Sequence, residues 1–287
     1  METTITRHRF RAMGTDVELL AEADDAERAL VAAEAEFHRL EALLTRFRPE
    51  SELSRLNAAG RLAAGPDLLR VVELALAARE RTGGRFDINV HDALLAAGYD
   101  RSFELLSPVA ERPAAPTRRP RGRVELANGV ITLRGGARID LGGIGKGYAC
   151  ERAAEILATA GPCLVNAGGD IATRDGVWTV AVETPADPLT LELSGSCALA
   201  TSGSDSRRWR RGGRDLHHII DPATGAPSAS DLLRVTVVAS DAADAEVTAK
   251  ALFLAGSEAA HEEADELGIP AVLVTAAGET IRTGGLA

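Results

Sequence analysis

The sequence predicts an α+β fold, and three observations predict it. Amphipathic helical stretches and short strand-like runs are mixed along the chain rather than alternating in strict strand–helix order. Several strand-like runs are direct neighbours joined by turn residues, which is the pattern of antiparallel hairpins and not of a doubly wound parallel sheet. The 287 residues are 45% hydrophobic and 26% charged, enough to bury a substantial core. The expectation is a single domain over residues 1–287, with a mixed, largely antiparallel sheet and flanking helices.

The elements follow in order. A strand around residues 8–10 passes through Ala-Met-Gly-Thr-Asp into a second short strand, VELLAE. Apolar residues then recur at helical spacing over 25–44 (Ala29, Leu30, Ala33, Phe37, Leu40, Leu44). Pro49 stops that helix, and Ser51 is placed to cap a short new one. Pro66 takes the first position of the next helix, which Gly83 and Gly84 close. Residues 111–123 hold three prolines and five arginines and read as an exposed connector. Two strands follow around Asn128-Gly129, the strongest short hairpin signal in the chain. ARIDLGG is expected to be a third strand, leading into a helix over 148–159. The later part predicts strands CLVNAGGDIAT, GVWTVAVE, RVTVVAS and AVLVTAAG, with a helix over 243–255 before the last of them. His261–Asp265 (HEEAD) lacks the zinc-protease spacing and reads as a solvated helix face.

Composition excludes some functions. With 32 basic and 42 acidic residues the formal net charge is −10, which argues against nucleic acid as a partner. Cys150, Cys163 and Cys197 are widely spaced, odd in number and form no CxxC pair, so neither a zinc knuckle nor a disulfide framework is indicated. No apolar run reaches the ~18 residues of a membrane span. The expected location is cytoplasmic, without membrane insertion.

The stretch DLGGIGKGYACE, starting at Asp140, looks like a phosphate loop at a helix start. It fits neither standard cradle. A Walker loop requires glycine where Asp140 stands and a hydroxyl where Gly147 stands, and the dinucleotide fingerprint requires glycine where Tyr148 stands. The physics is nevertheless shared, because glycines admit close approach, a helix start favours anions and Lys146 adds a positive charge. Three more loops offer polar groups: Asn166-Ala-Gly-Gly-Asp170, Thr201-Ser-Gly203, and His217-His218 before an Asp-Pro turn. A serine-hydrolase reading fails for want of a GxSxG elbow.

In order, MGTD, RFRPESELSRLN, GGRFD, IDLGGIGKGYACE, VNAGGD, LATSG, HHIIDPATGAP and ALFLAG resemble the motifs of the ApbE family, the FAD:protein FMN transferases. The resemblance implies a single α+β fold that binds FAD with a divalent cation, usually Mg2+. It implies cleavage of the FAD pyrophosphate and attachment of FMN, through its phosphate, to a Thr or Ser of an acceptor protein, with release of AMP. By the same resemblance Met13, Phe47, Arg85, Phe86 and Asp87 line the flavin nucleotide site, Asp140 and Lys146 contact FAD, and His218 and Ile220 lie beside the ligand. Phe47 stands where the family often has tyrosine. Gly143 offers its carbonyl to the metal, and Glu246 and Lys250 occupy the positions of the remaining ligands. His218 is the expected base for the acceptor hydroxyl.

Three departures matter. The family's closing Asp-x-x-x-Thr becomes Glu246 and Lys250, so an ammonium that repels a cation replaces a hydroxyl ligand. Asp244 and Thr248 keep the spacing but lie two positions earlier, rotated by roughly 200°. DINV and Glu151 also differ from the family's Asp-Pro-Thr-Val and Asp. Two other functions remain open: an FAD pyrophosphatase giving FMN and AMP, and a non-catalytic flavin-binding protein.

Overall fold

Helix α1 (Glu27–Leu44) buries Phe37 and Leu40 completely, as the 25–44 periodicity predicted. In the computed structural model, which describes residues 4–107, 109–110, 115 and 119–286, it is followed by six more α-helices. These are α2 (Glu52–Ala59), α3 (Pro66–Arg81), α4 (His91–Ala97), α5 (Gly145–Leu157), α6 (Ala242–Ala255) and α7 (Ser257–Glu266). Most of the proline- and arginine-rich connector, 111–114 and 116–118, lies outside the described residues. No helix among those described is long and apolar enough to cross a membrane.

The chain divides into two compact units. The first comprises Met1–Glu41, Ile144–Ser202 and Asp231–Ala287. Its centre is an eight-stranded sheet in the order Ile5–Ala12, Thr15–Glu22, Cys163–Ala167, Asp170–Arg174, Cys197–Gly203, Leu232–Ala239, Ala271–Thr275 and Thr280–Thr283. Pairings within the first five strands and within the last three are antiparallel. Helices α5 and α6 pack on one another and on the central strands. A separate hairpin, Val177–Val182 with Leu189–Ser194, packs Trp178, Val180 and Val182 against Leu164, Leu199 and Val272.

The second unit comprises Ala42–Gly143 and Gly203–Ser230. Ser51 caps α2, its Oγ accepting from Ser54 N–H at 3.0 Å, and Gly65 precedes Pro66 at the first turn of α3. The Asn128-Gly129 hairpin forms with both residues at positive φ (50° and 72°), the twist that a two-residue turn requires. Arg208–Arg211 pairs antiparallel with Arg214–His217 and parallel with Val109–Ala110, which makes the β-structure mixed.

Two local expectations differ from the structure. ARIDLGG is not a strand. Its backbone is held by side chains instead: Asn57 both donates to Ile139 O and accepts from Ile139 N–H, each at 2.8 Å, and Asn89 Oδ1 accepts from Arg138 N–H. Asp140 N–H donates to Ile88 O. With those groups satisfied, the segment has no need of a partner strand. CLVNAGGDIAT is two antiparallel strands, because Gly168 and Gly169 (φ 62° and 96°) fold it into a hairpin. A Cβ on Gly168 would lie 2.1 Å from Thr15 Oγ1, so glycine is required there.

Candidate active site

In the first unit, Lys146 lies in the opening turn of α5 and points its ammonium at buried acids. Its Nζ contacts Asp170 Oδ2 directly and lies 3.5 Å from Glu246 Oε1. Asp170 and Glu246 are only 1% and 4% exposed. Asp170 follows the Gly168-Gly169 turn, and its Oδ1 accepts from Thr201 N–H at 3.4 Å. Glu246 Oε2 accepts from Gly147 N–H at 2.9 Å.

That bond explains why Gly147 follows the lysine. A Cβ there would come within 2.4 Å of Ala242 O, so only glycine lets α6 approach α5 closely enough for Glu246 to reach the amide. Lys250 sits one helical turn beyond Glu246 on the same face of α6. Burial pushes the Asp170 carboxyl up, the nearby Glu246 adds to this, and the ammonium groups of Lys146 and Lys250 pull against it. Glu151 has a different task. Its Oε1 accepts from Ala242 N–H at 2.6 Å, its other oxygen pairs with Arg174, and it anchors the start of α6.

Met13 occupies the turn between the first two strands, at φ 52°, a conformation uncommon for a residue with a side chain. Its N–H donates to Glu41 Oε1 at 3.0 Å, which holds the turn.

In the second unit, Asp140 Oδ2 pairs with Arg46 Nε at 2.7 Å, and its Oδ1 accepts from Gly142 N–H. The guanidinium of Arg46 lies 4.2 Å from the Phe47 ring centroid and 4.7 Å from that of Tyr99. Its side chain is 5% exposed and its Nη2 has no hydrogen-bond partner among the described residues, whereas Phe47 is 40% exposed. Burial raises the Tyr99 hydroxyl, against the pull of Arg207 and Arg46. Asp87 receives Arg79 at 2.8 Å and caps Asn89 N–H, Arg85 is half-buried, and Phe86 is buried. Ile220 is buried in an apolar cluster with Leu94, Tyr99 and Trp209.

The two histidines differ. His217 Nε2 lies 3.0 Å from Ser228 O and its Nδ1 accepts from Ile219 N–H, so both ring nitrogens serve the fold as a neutral imidazole. Burial lowers its pKa accordingly. His218 is half-buried beside it.

The structure therefore brings Lys146 and Glu246 together around Asp170, with Lys250 one turn beyond Glu246 on α6, and joins Asp140 to Phe47 through Arg46. Met13 lies in the first unit, and Arg85, Phe86, Asp87, Gly143, His218 and Ile220 in the second. Asp170 and Arg46 were absent from the expected site residues. Asp170 had a visible signal, an acid at the end of a two-glycine turn, whereas nothing in the sequence separates Arg46 from its arginine neighbours.

The family model for the ApbE family matches residues 13–273. The chain belongs to the ApbE family. It is 30% identical over 250 residues to the FAD:protein FMN transferase of Treponema pallidum (strain Nichols), an alignment that covers 76% of this chain and 68% of that one. Over 313 residues it is 26% identical to the FAD:protein FMN transferase of Escherichia coli (strain K12), covering 98% and 87%. Among solved structures, the ApbE protein of Thermotoga maritima matches with TM-score 0.85 and 25% identity, covering 98% of this chain and 97% of that one. The flavin transferase ApbE of Vibrio cholerae shares the fold at TM-score 0.81 and 22% identity.

Whether these residues suit the family's divalent cation is decided by their chemistry. Magnesium demands near-octahedral oxygen donors. Both Asp170 oxygens accept, from Lys146 and from Thr201 N–H, Glu246 Oε2 accepts from Gly147 N–H, and Glu246 Oε1 is ion-paired with Lys146 at 3.5 Å. Lys250 adds an ammonium, which supplies no lone pair. No group of three or more His, Cys, Asp or Glu able to hold a metal occurs among the described residues. The donor set does not fit.

Proposed function

We propose that this protein is an FAD:protein FMN transferase. The observation that carries the reading is the family match across residues 13–273, which spans both structural units and is shared with relatives bearing that activity. On this reading the two units form one functional domain.

In the proposed reaction the hydroxyl oxygen of an acceptor Thr or Ser attacks the FMN phosphorus of FAD. A new P–O bond forms, the bridging P–O bond of the pyrophosphate breaks, and AMP leaves with the bridging oxygen. The hydroxyl proton passes to His218. His217 is committed to Ser228 O and Ile219 N–H, which leaves His218 as the imidazole of the pair for proton transfer. Arg46 backs the exposed Phe47 ring and fixes Asp140, supporting a surface on which a flat heterocycle can stack. Lys146 places positive charge at the start of α5, where anions are favoured. No step is assigned to Mg2+. The free thiols of Cys150, Cys163 and Cys197 support a cytoplasmic location, and the acidic net charge supports a protein rather than a nucleic acid as acceptor.

The test is incubation of the full chain with FAD and an acceptor domain carrying a reactive Thr or Ser. The expected outcome is a covalent adduct of FMN mass with one AMP released per adduct, slowed about 10²–10⁴-fold in His218→Ala. No adduct on a competent acceptor sinks the reading. Equal AMP release without acceptor replaces it with the pyrophosphatase, and tight FAD binding without any AMP replaces it with the non-catalytic flavin binder.

A further inference from the structure

In the second unit, residues 207–214 read RRWRRGGR, five arginines and no acid in a chain whose formal net charge is −10. They fold into a hairpin. Arg208–Arg211 pairs antiparallel with Arg214–His217 around Gly212 and Gly213, whose φ of 53° and 75° suit a two-residue turn. Trp209 and Leu216 are cross-strand partners and both are buried, and the Trp209 Nε1–H donates to Ala97 O at 2.9 Å, so the inner face fixes the hairpin to its unit. Arg208, Arg210 and Arg214 are exposed. Asp215, 3.6 Å from Arg210, is the one acid on the two strands. Arg211 and Arg214 are paired directly opposite each other beside the turn, an arrangement of like charges that costs stability and that an anionic partner would relieve. Placement is the second observation. Strand Arg214–His217 runs straight into His218, and Arg208 is the cross-strand partner of His217. The Trp209 ring centroid lies 5.5 Å from that of Tyr99, which lies 6.0 Å from that of Phe47.

We propose that this arginine hairpin is the docking surface for the acceptor protein and that it selects a Thr or Ser flanked by acidic residues. The proposal rests on the transferase reading for the identity of the partner. Arg208 and Arg210 are two residues apart on one face of a strand, about 7 Å at a rise of about 3.3 Å per residue. An extended acceptor segment with Asp or Glu at alternate positions matches that spacing. Because Arg208 stands opposite the residue before His218, the reactive hydroxyl belongs next to the acid that reaches Arg208. The net charge adds direction. The acidic protein as a whole repels an acidic partner and this face attracts it, which steers encounters toward His218. The connector 111–123, with five more arginines, continues in sequence from Val109–Ala110, the strand paired with Arg210 and Arg211.

The experiment uses the full chain and reads binding by the anisotropy of rhodamine-labelled peptides. Each peptide holds a single Thr, with Asp at alternate flanking positions or with Asn or Lys in their place. Wild type should bind the Asp peptide at least about tenfold more tightly than the Asn peptide at low salt, with the difference shrinking as salt screens it. The triple variant Arg208→Gln, Arg210→Gln, Arg214→Gln should lose about tenfold for the Asp peptide, the scale of three exposed ion pairs together. Removing the same charge elsewhere, by Arg28→Gln, Arg61→Gln and Arg70→Gln, should leave binding within about threefold, because those exposed arginines lie on other elements. Reversing the hairpin to Glu at positions 208, 210 and 214 should turn the preference to the Lys peptide. Circular dichroism verifies that each variant is folded, and Arg→Lys at the three positions, which keeps the charge, should bind like wild type. Equal binding of the Asp and Asn peptides by wild type overturns the proposal, and so does an unchanged affinity in the triple Gln variant. Tighter binding of phosphatidylserine vesicles or duplex DNA than of the Asp peptide, lost in the same variant, replaces the acceptor protein with a membrane or a nucleic acid. Failure of the transferase reading appears separately, as the Asp peptide bound through the hairpin but no adduct and no AMP formed with any acceptor.

Discussion

The two units bury polar groups in opposite ways. The first sets full charges against one another: Lys146 against Asp170 and Glu246, and Arg174 against Glu151. The second spreads its polarity over softer partners. Arg46 has one carboxylate and two aromatic faces, Asp140 has an arginine and a backbone amide, and His217 is held as a neutral ring. The difference predicts how each region fails. A buried ion pair contributes little net stability when intact but is costly when broken, because the survivor is an uncompensated charge in a poorly polarisable surround. A guanidinium that shares itself among several weak contacts loses them piecemeal.

The sharpest test of this contrast is Asp170→Ala. It leaves Lys146 facing Glu246 alone, removes the acceptor for Thr201 N–H and opens space beneath α5. The expected loss is about 3–5 kcal/mol of unfolding free energy, read as a shift of the urea midpoint at constant slope. The double variant Asp170→Ala with Lys146→Met should cost less than the sum of the two single changes, since it removes both charges together. Strict additivity would mean that the pair does not function as a pair.

Much of this was legible in the sequence, and the illegible part has a common cause. Helix α1 follows from apolar spacing, α3 from Pro66 and the closing glycines, and the Asn128-Gly129 hairpin from its turn chemistry, because those signals are local. ARIDLGG has the composition of a strand, yet Asn57, some eighty residues earlier, takes both hydrogen-bonding groups of Ile139. Period and propensity do not reveal so distant a partner. The same holds for the site. The Gly-rich loop and Glu246 were visible one at a time, but their link, the Gly147 amide on the Glu246 carboxylate, joins positions 99 apart in sequence. Asp170 needed the fold to show that it lies under Lys146, and Arg46 needed it to show an arginine enclosed by rings.

A smaller loss is expected from Arg46→Met in the second unit. The substitution keeps most of the aliphatic stem and removes the ion pair and both ring contacts. Asp140 retains the Gly142 amide and some access to water, so no fully stranded charge results. The expected destabilisation is about 1–3 kcal/mol, with a weaker FAD complex as Phe47 loses its backing. Arg46→Lys should recover little of either, because an ammonium restores the charge but not the plane that lies over two rings. Full recovery by lysine would show that charge alone matters in the second unit too, and the contrast between the units would fall.

The smallest effect belongs to His217, and its sign follows from linkage. Burial lowers the folded-state pKa of His217 below its ordinary 6.5, because a charged ring would lose much of its hydration; the bond to Ser228 O pulls the other way, and the nearby Arg208 adds to the lowering. Above pH 6.5 both folded and unfolded chains carry a neutral ring, and the group adds no pH dependence. As the pH falls through 6.5 the unfolded chain takes up a proton that the folded chain declines, so stability decreases. The decrease ends once the pH is below the folded pKa. His217→Gln keeps a donor for Ser228 O and removes the titration, so its stability should fall less steeply than wild type between pH 6.5 and 5, by a fraction of one proton. Parallel curves would mean that His217 is as easily charged in the folded protein as in the unfolded chain. The pairing of its two nitrogens would then no longer single out His218 for proton transfer, and the first experiment to repeat would be His218→Ala beside His217→Gln in the adduct assay.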